Sequence, residues 1–151
     1  MNSVILWRVS NYASLDGSGG LIVSGRWHTQ GHPIVYCAQN PSTALLEILV
    51  HMEIDSEDRP ERFQILRIEG SDALSLERIA AAILPPNWAN DSSATQNIGD
   101  RWLMERRSLL LEVPSVLVPE TWNVLVNPQH PEASLLKITA TYQHAFDARF
   151  F

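Results

Sequence analysis

Between Ala44 and Val50 the chain reads Ala-Leu-Leu-Glu-Ile-Leu-Val, six apolar residues with one carboxylate, Glu47, in their midst. A helix carrying that run has to bury most of it, which places Glu47 at or near a surface that excludes water. An unpaired carboxylate in such a place is costly, so Glu47 is expected to have a partner or a task. Two candidates lie upstream: Arg26 in Ser-Gly-Arg-Trp, and Tyr36 in Ile-Val-Tyr-Cys-Ala. An Arg, a Tyr and a Glu delivered in that order by three successive elements suit an anionic, aromatic substrate such as a dinucleotide. The plainer alternative for Glu47 is a helix-side carboxylate facing His51 at i+4.

The rest of the pattern reads as α+β. Val4–Ser10 and Ile34–Ala38 are strand-like, the latter followed by Asn40 as an N-cap and Pro41 in the first helical position. A helix is expected from Pro41 to about Ile54, with Ala44, Leu45, Ile48, Leu49 and Met52 as its core face. A charged turn over residues 55–61 and a strand over Arg62–Glu69 come next. Residues 72–84 predict a short helix stopped by Pro85-Pro86, and 97–108 a second one with Arg101, Glu105 and Arg106 exposed. Leu109–Val118 reads as a strand broken by Pro114. Trp122–Val126 is a strand running into Asn127-Pro128, with a helical turn after Pro131 and one or two terminal strands beyond. No βαβ rhythm is visible, so a single domain over residues 1–151 is expected, with a mostly antiparallel, split sheet and flanking helices.

Composition narrows the function classes. A formal net charge of -6 with no long basic run argues against nucleic acid as a direct partner. Cys37 is the only cysteine, which rules out an internal disulfide and fits a reducing cytoplasm. The start of the chain lacks a signal-peptide pattern, and no apolar stretch reaches the length of a membrane span. Five tryptophans and the terminal Phe150-Phe151 could furnish a homodimer interface.

Each candidate group has a functional and a plain reading. Arg26 offers a forked donor for a diphosphate or carboxylate, or it is a surface arginine stacked on Trp27. Tyr36 presents a ring for a flat ligand, or it is a core tyrosine with its hydroxyl hydrogen-bonded. Ser115, after Pro114, either faces a cleft or bonds its own backbone at a bulge; no Gly-x-Ser-x-Gly elbow supports a hydrolase triad. His28 and His32 share i,i+4 spacing, but Gly31 and Pro33 speak against a helix there, and no metal site is expected. Gly17-Ser18-Gly19-Gly20 lacks a phosphate-loop ending and is expected to be a flexible loop.

Taken together these stretches resemble the RES-domain family, named for Arg, Glu and Ser motif residues. The matching pieces are Leu6–Ser10, Ser24-Gly25-Arg26-Trp27, Gly31–Tyr36, Ala44–Glu47, Val113-Pro114-Ser115 and Asn123–Pro131, in the family's order over nearly the whole chain. The resemblance implies a fold like that of ADP-ribosyltransferases and a bacterial type II toxin neutralised by an Xre-type helix-turn-helix antitoxin. It further implies breakdown of NAD at the nicotinamide–ribose bond, by a glycohydrolase or phosphorolase. NAD would then be a substrate, with no separate cofactor. Protein ADP-ribosylation from NAD is one alternative and a non-enzymatic binding module another. On this resemblance Arg26, Tyr36, Glu47 and Ser115 take the active-site positions, and Arg8, Trp27 and Asn127 join Arg26 and Tyr36 in binding NAD.

Overall fold

The structure, a computed structural model, describes residues 3–51 and 62–150. The charged turn at 55–61, the core position Met52 and the expected helix end at Ile54 lie outside the described residues, as does the side chain of His51.

Among the described residues seven strands form one sheet: β1 (Ser3–Val9), β2 (Val35–Ala38), β3 (Arg62–Ser71), β4 (Leu76–Arg78), β5 (Leu110–Pro114), β6 (Trp122–Val126) and β7 (Lys137–Ala145). Their order across the sheet is β4-β5-β6-β2-β1-β3-β7. All neighbours run antiparallel except β4 and β5. The α+β, mostly antiparallel reading therefore holds. The sheet is continuous, yet β1 and β2 share only one register pair, Trp7 with Ala38, where β1 and β3 share seven. The sheet is loosely joined at that seam, and the cavity described below opens beside it.

Alternation along the central strands gives the sheet two buried faces. One carries Leu6, Val35, Cys37, Leu66, Ile68, Leu110, Val124 and Val126, closed by Leu74 and Leu136. The other carries Leu111, Val113 and Leu125 and packs against Trp27, Trp102 and Leu103. Trp102 and Leu103 come from α3 (Ser93–Glu105), which ends at Arg106 in the left-handed conformation, φ 51°.

Helix α2 (Pro41–His51) begins as the sequence indicates: the Asn40 side chain accepts from the Thr43 backbone N–H at 2.8 Å. Its apolar run is less covered than expected. Ala44 is buried, but Leu46 is 39% and Val50 56% exposed: α2 packs against β1 and β2, Ala44, Glu47 and Ile48 border the cavity, and Leu46 and Val50 are not among its lining.

Three expectations are corrected. Residues 72–84 form no helix: they hold β4 and a 3₁₀ turn at Ala81–Ile83. Pairing of Leu76–Arg78 with Leu110–Glu112, and capture of Ser75 by the Glu132 carboxylate, outweigh the helical propensity of this alanine-rich segment. That pairing also creates a parallel β4–α3–β5 crossover where no βαβ unit was expected. The glycine segment is packed and not a loose loop. Gly17 sits at φ +71°, and a Cβ on Gly20 would come within 2.3 Å of the His32 carbonyl oxygen. Gly19–Ile22 is a short helix, α1.

Candidate active site

A cavity of about 510 Å³ lies on the α3 side of the sheet, walled by the end of β1, the α1 region, the Ser24–His28 segment, β2, α2 and the ends of β5 and β6. Arg8, Arg26, Trp27, Tyr36 and Glu47 all line it. Ser115 reaches it through Glu47. Of the seven residues that the resemblance assigns to the site, Asn127 alone lies elsewhere. It is 1% exposed, its amide N–H donates to the Leu103 carbonyl at the end of α3, and its Oδ1 accepts from the Gln129 backbone. A buried amide so engaged has no free group for a ligand, so its part is to lock the turn after β6 to α3.

Arg26 sits in a tight turn closed by the hydrogen bond from the Gly25 N–H to the His28 carbonyl. Helix α3 grips this turn along one face. The Thr95 hydroxyl donates to the Arg26 carbonyl and the Gln96 amide to the Gly25 carbonyl. Asp100 accepts from both the backbone and the hydroxyl of Thr29, at 2.9 and 2.7 Å. Gly99 completes the face: a Cβ there would stand 1.6 Å from the Trp27 carbonyl oxygen, so only glycine lets the helix approach this closely. The i, i+1, i+4, i+5 spacing of these four residues is visible in the sequence, but their common target is not. The Arg26 guanidinium donates to the Trp88 carbonyl at 3.3 Å, and Trp88 in turn packs at 6.5 Å from the buried Trp27 ring. The arginine is thus aimed by two structural layers while still bordering the cavity.

Tyr36 combines both readings offered for it. Its ring lines the cavity, and its hydroxyl is bonded twice, accepting from the Trp27 N–H at 3.2 Å and meeting His28 Nδ1 at 2.6 Å. The proton positions follow from the partners. His28 Nε2 lies 2.9 Å from the Val23 carbonyl, which can only accept, so Nε2 carries the hydrogen. Nδ1 then accepts, and the Tyr36 hydroxyl donates to it. Burial supports this state by pushing the imidazole below its ordinary value of 6.5 and the phenol upward. The tyrosine hydroxyl is therefore spent on the fold, and only its ring is available to a ligand. His28, considered from the sequence only as a metal ligand, instead orients Tyr36.

Glu47 is half-buried at the cavity wall. Its Oε1 accepts from Ser115 Oγ at 3.0 Å and from Asn123 Nδ2 at 2.9 Å. Among the described residues none donates to Oε2. The Ser115 hydroxyl itself accepts from the backbone N–H groups of Leu117 and Val118, at 3.1 and 3.4 Å. With its proton committed to a carboxylate and its lone pairs to the backbone, Ser115 is a positioning residue and not a nucleophile. Asn123 carries a cost: its Oδ1 is buried and has no hydrogen-bond partner among the described residues, a situation worth about 1–3 kcal/mol. Nothing in the sequence marked Asn123 apart from its place in a matching stretch. Cys37 also borders the cavity, but burial pushes its thiol up to about 12, so it is not a thiolate nucleophile.

Two guanidinium groups, Arg8 and Arg26, thus share a cavity with one carboxylate and one neutral imidazole. In a chain of net charge -6 this is a locally cationic cleft, suited to an anion with a flat aromatic part. Arg8 is steadied by donating to the Ser14 carbonyl at 3.1 Å.

The sequence model of the family described as "RES domain" matches residues 5–147. The chain belongs to the RES-domain family. It is 50% identical over 135 residues to a "Toxin Res" of Pseudomonas putida, an alignment covering 89% of this chain and 92% of the relative. It is 35% identical over 153 residues to a "Prs ADP-ribosylating toxin" of Sphingobium sp., covering 95% and 94%. A solved chain from the M. tuberculosis MbcT–MbcA toxin–antitoxin complex superposes with a TM-score of 0.76 at 17% identity, covering 95% of this chain and 85% of that one. That likeness establishes a shared fold. The motif stretches of this RES domain converge on the cavity, apart from the Asn127 turn.

Proposed function

We propose that this RES-domain protein is the toxin of a toxin–antitoxin pair and that it destroys NAD at the nicotinamide–ribose bond. The observation that carries the reading is Glu47: a carboxylate at the wall of a cationic cleft, bonded on one oxygen, with the other oxygen met by no donor among the described residues. The names of the relatives, a toxin and an ADP-ribosylating toxin, support the same direction.

In this reading the NAD diphosphate lies against Arg26 and Arg8, with Trp27 behind them, and the nicotinamide packs on the Tyr36 ring. The C–N glycosidic bond breaks with its electron pair going to the nicotinamide nitrogen. The cationic pyridinium leaves as neutral nicotinamide, so no general acid is required at that end. What the site has to supply is stabilisation of the oxocarbenium character on the ribose, and Glu47 does this by charge and by holding a ribose hydroxyl on its free oxygen. An acceptor oxygen then bonds to C1 of the ribose and loses its proton to solvent. Water as acceptor makes the protein a glycohydrolase, phosphate a phosphorolase. NAD is consumed, and no further cofactor enters.

A second reading, transfer of ADP-ribose to a protein side chain, is favoured by the name of the Sphingobium relative. Incubating the purified chain with NAD, with and without phosphate, and weighing the ribose-side product by mass spectrometry separates the acceptors. Nicotinamide release with a free ribose-side product supports NAD breakdown. Release only in the presence of a protein that gains mass supports transfer, and no release under any condition reduces the site to a binding module. The partner that this reading requires is an antitoxin, and an Xre-type helix-turn-helix protein is the one the family resemblance points to. Co-expression with such a protein is expected to relieve growth arrest in the cytoplasm of a bacterial host.

A further inference from the structure

We propose that Asn123 is a second positioning residue for Glu47, holding the carboxylate so that one oxygen is occupied and the other is offered to the substrate ribose. The inference rests on the role given to Glu47 above and goes beyond it.

Asn123 lies on β6, directly between Ala38 of β2 and Val113 of β5, and its side chain borders the cavity. Its carboxamide meets Glu47 from the sheet, while Ser115 meets the same oxygen from the chain just beyond β5. Two donors converging on Oε1 fix the carboxylate plane in a way one donor cannot, because a single hydrogen bond leaves rotation about its axis. The amide can serve only in one orientation. A carboxylate accepts and never donates, so Nδ2 has to face Glu47, and that choice turns Oδ1 into protein where, among the described residues, nothing donates to it. An apolar side chain at this position would leave no such orphan. The fold thus carries an unsatisfied carbonyl whose only visible return is the amide N–H given to Glu47, as expected of a residue kept for the site and not for stability.

The charged and titratable groups around this pair are Arg8 of β1, Arg26 and His28 of the turn before β2, and Tyr36 and Cys37 of β2. None of them meets the Glu47 carboxylate in a hydrogen bond or ion pair among the described residues. A second carboxyl placed at residue 123 would therefore couple chiefly to Glu47.

The test uses N123A and N123D in the full chain, with nicotinamide release followed across pH and melting recorded alongside. N123A is expected to lower kcat by about 10- to 100-fold, the worth of one hydrogen bond to a charged group. Its KM for NAD should stay within about threefold and its melting temperature unchanged or raised. N123D gives the sharper readout. At high pH two carboxylates would face each other and activity should vanish. As pH falls, one shared proton lets the new carboxyl donate to Glu47 in place of the amide, and activity should recover. Wild type, which lacks the second carboxyl, should show no such recovery. Wild-type kcat in N123A, or an N123D profile parallel to wild type, would overturn the proposal; if N123A does not fold, the N123D profile decides. A wild-type chain that releases no nicotinamide overturns the NAD reading, whereas an active wild type with indifferent variants overturns only the role of Asn123.

Discussion

Replacing Tyr36 with phenylalanine separates the two jobs of that residue. The ring remains, and the hydroxyl that joins Trp27 to His28 is deleted. Two buried partners then lose their bond: the Trp27 N–H, on a residue 3% exposed, and Nδ1 of His28, 2% exposed. Leaving a buried group unsatisfied costs about 1–3 kcal/mol each. Water entering from the adjacent cavity offsets part of that, so the lower half of the summed range, about 2–4 kcal/mol, is expected. For a chain of 151 residues, with roughly 2–4 °C per kcal/mol, Y36F should melt about 4–15 °C below wild type. At a temperature well under both transitions, its NAD affinity should stay within about threefold, the limit set by an unchanged ring. Circular dichroism melts and titration calorimetry with NAD read the two quantities. A melting shift under about 2 °C, or an unchanged melt with lost turnover, would refute a purely structural hydroxyl.

The α3 clamp and the His28 state give two further predictions. G99A should destabilise strongly, since its Cβ would stand 1.6 Å from the Trp27 carbonyl, whereas G19A, with nothing within 4 Å, should be tolerated; paired melting curves check this, and equal melts would contradict the close approach. His28 is held below 6.5 by burial, so the unfolded chain takes up its proton first as pH falls. The contribution of His28 is thus complete above about pH 6.5 and is lost as pH drops toward the lowered folded value. The slope of stability with pH in that window should be shallower in H28Q; a slope equal to wild type would mean the imidazole is not buried neutral.

Much of this site could be read from the chain because its residues are punctuated locally. Asn40-Pro41 announces α2, the apolar run around Glu47 marks a carboxylate near buried surface, β2 is apolar throughout, and β6 is apolar apart from Asn123. What escaped is non-local. Thr95, Gln96, Gly99 and Asp100 look like an ordinary polar helix face until the turn at Gly25–Thr29 is laid against them. The 72–84 segment has helical composition and becomes β4 only because β5 is there to pair with it. Asn127 sits in the same motif stretch as Asn123 and shares its parity along the chain, yet the turn after β6 carries its amide to the end of α3 while that of Asn123 meets Glu47. The Gly17–Gly20 segment looked like a loose loop for a related reason: its contacts with His32 and Ile34 come from chain more than ten residues away.

The role of Glu47 is tested most directly by the initial rate of nicotinamide release from NAD by wild type and E47Q, measured on proteins with matching melting curves. E47Q keeps the shape of the side chain and removes the charge that would stabilise the ribose cation. A fall of at least about 100-fold is expected, the scale of losing one electrostatic group at a developing charge, with the melt within a few degrees of wild type. A rate near wild type in a folded E47Q would contradict the assignment of Glu47 as the group on which NAD cleavage depends.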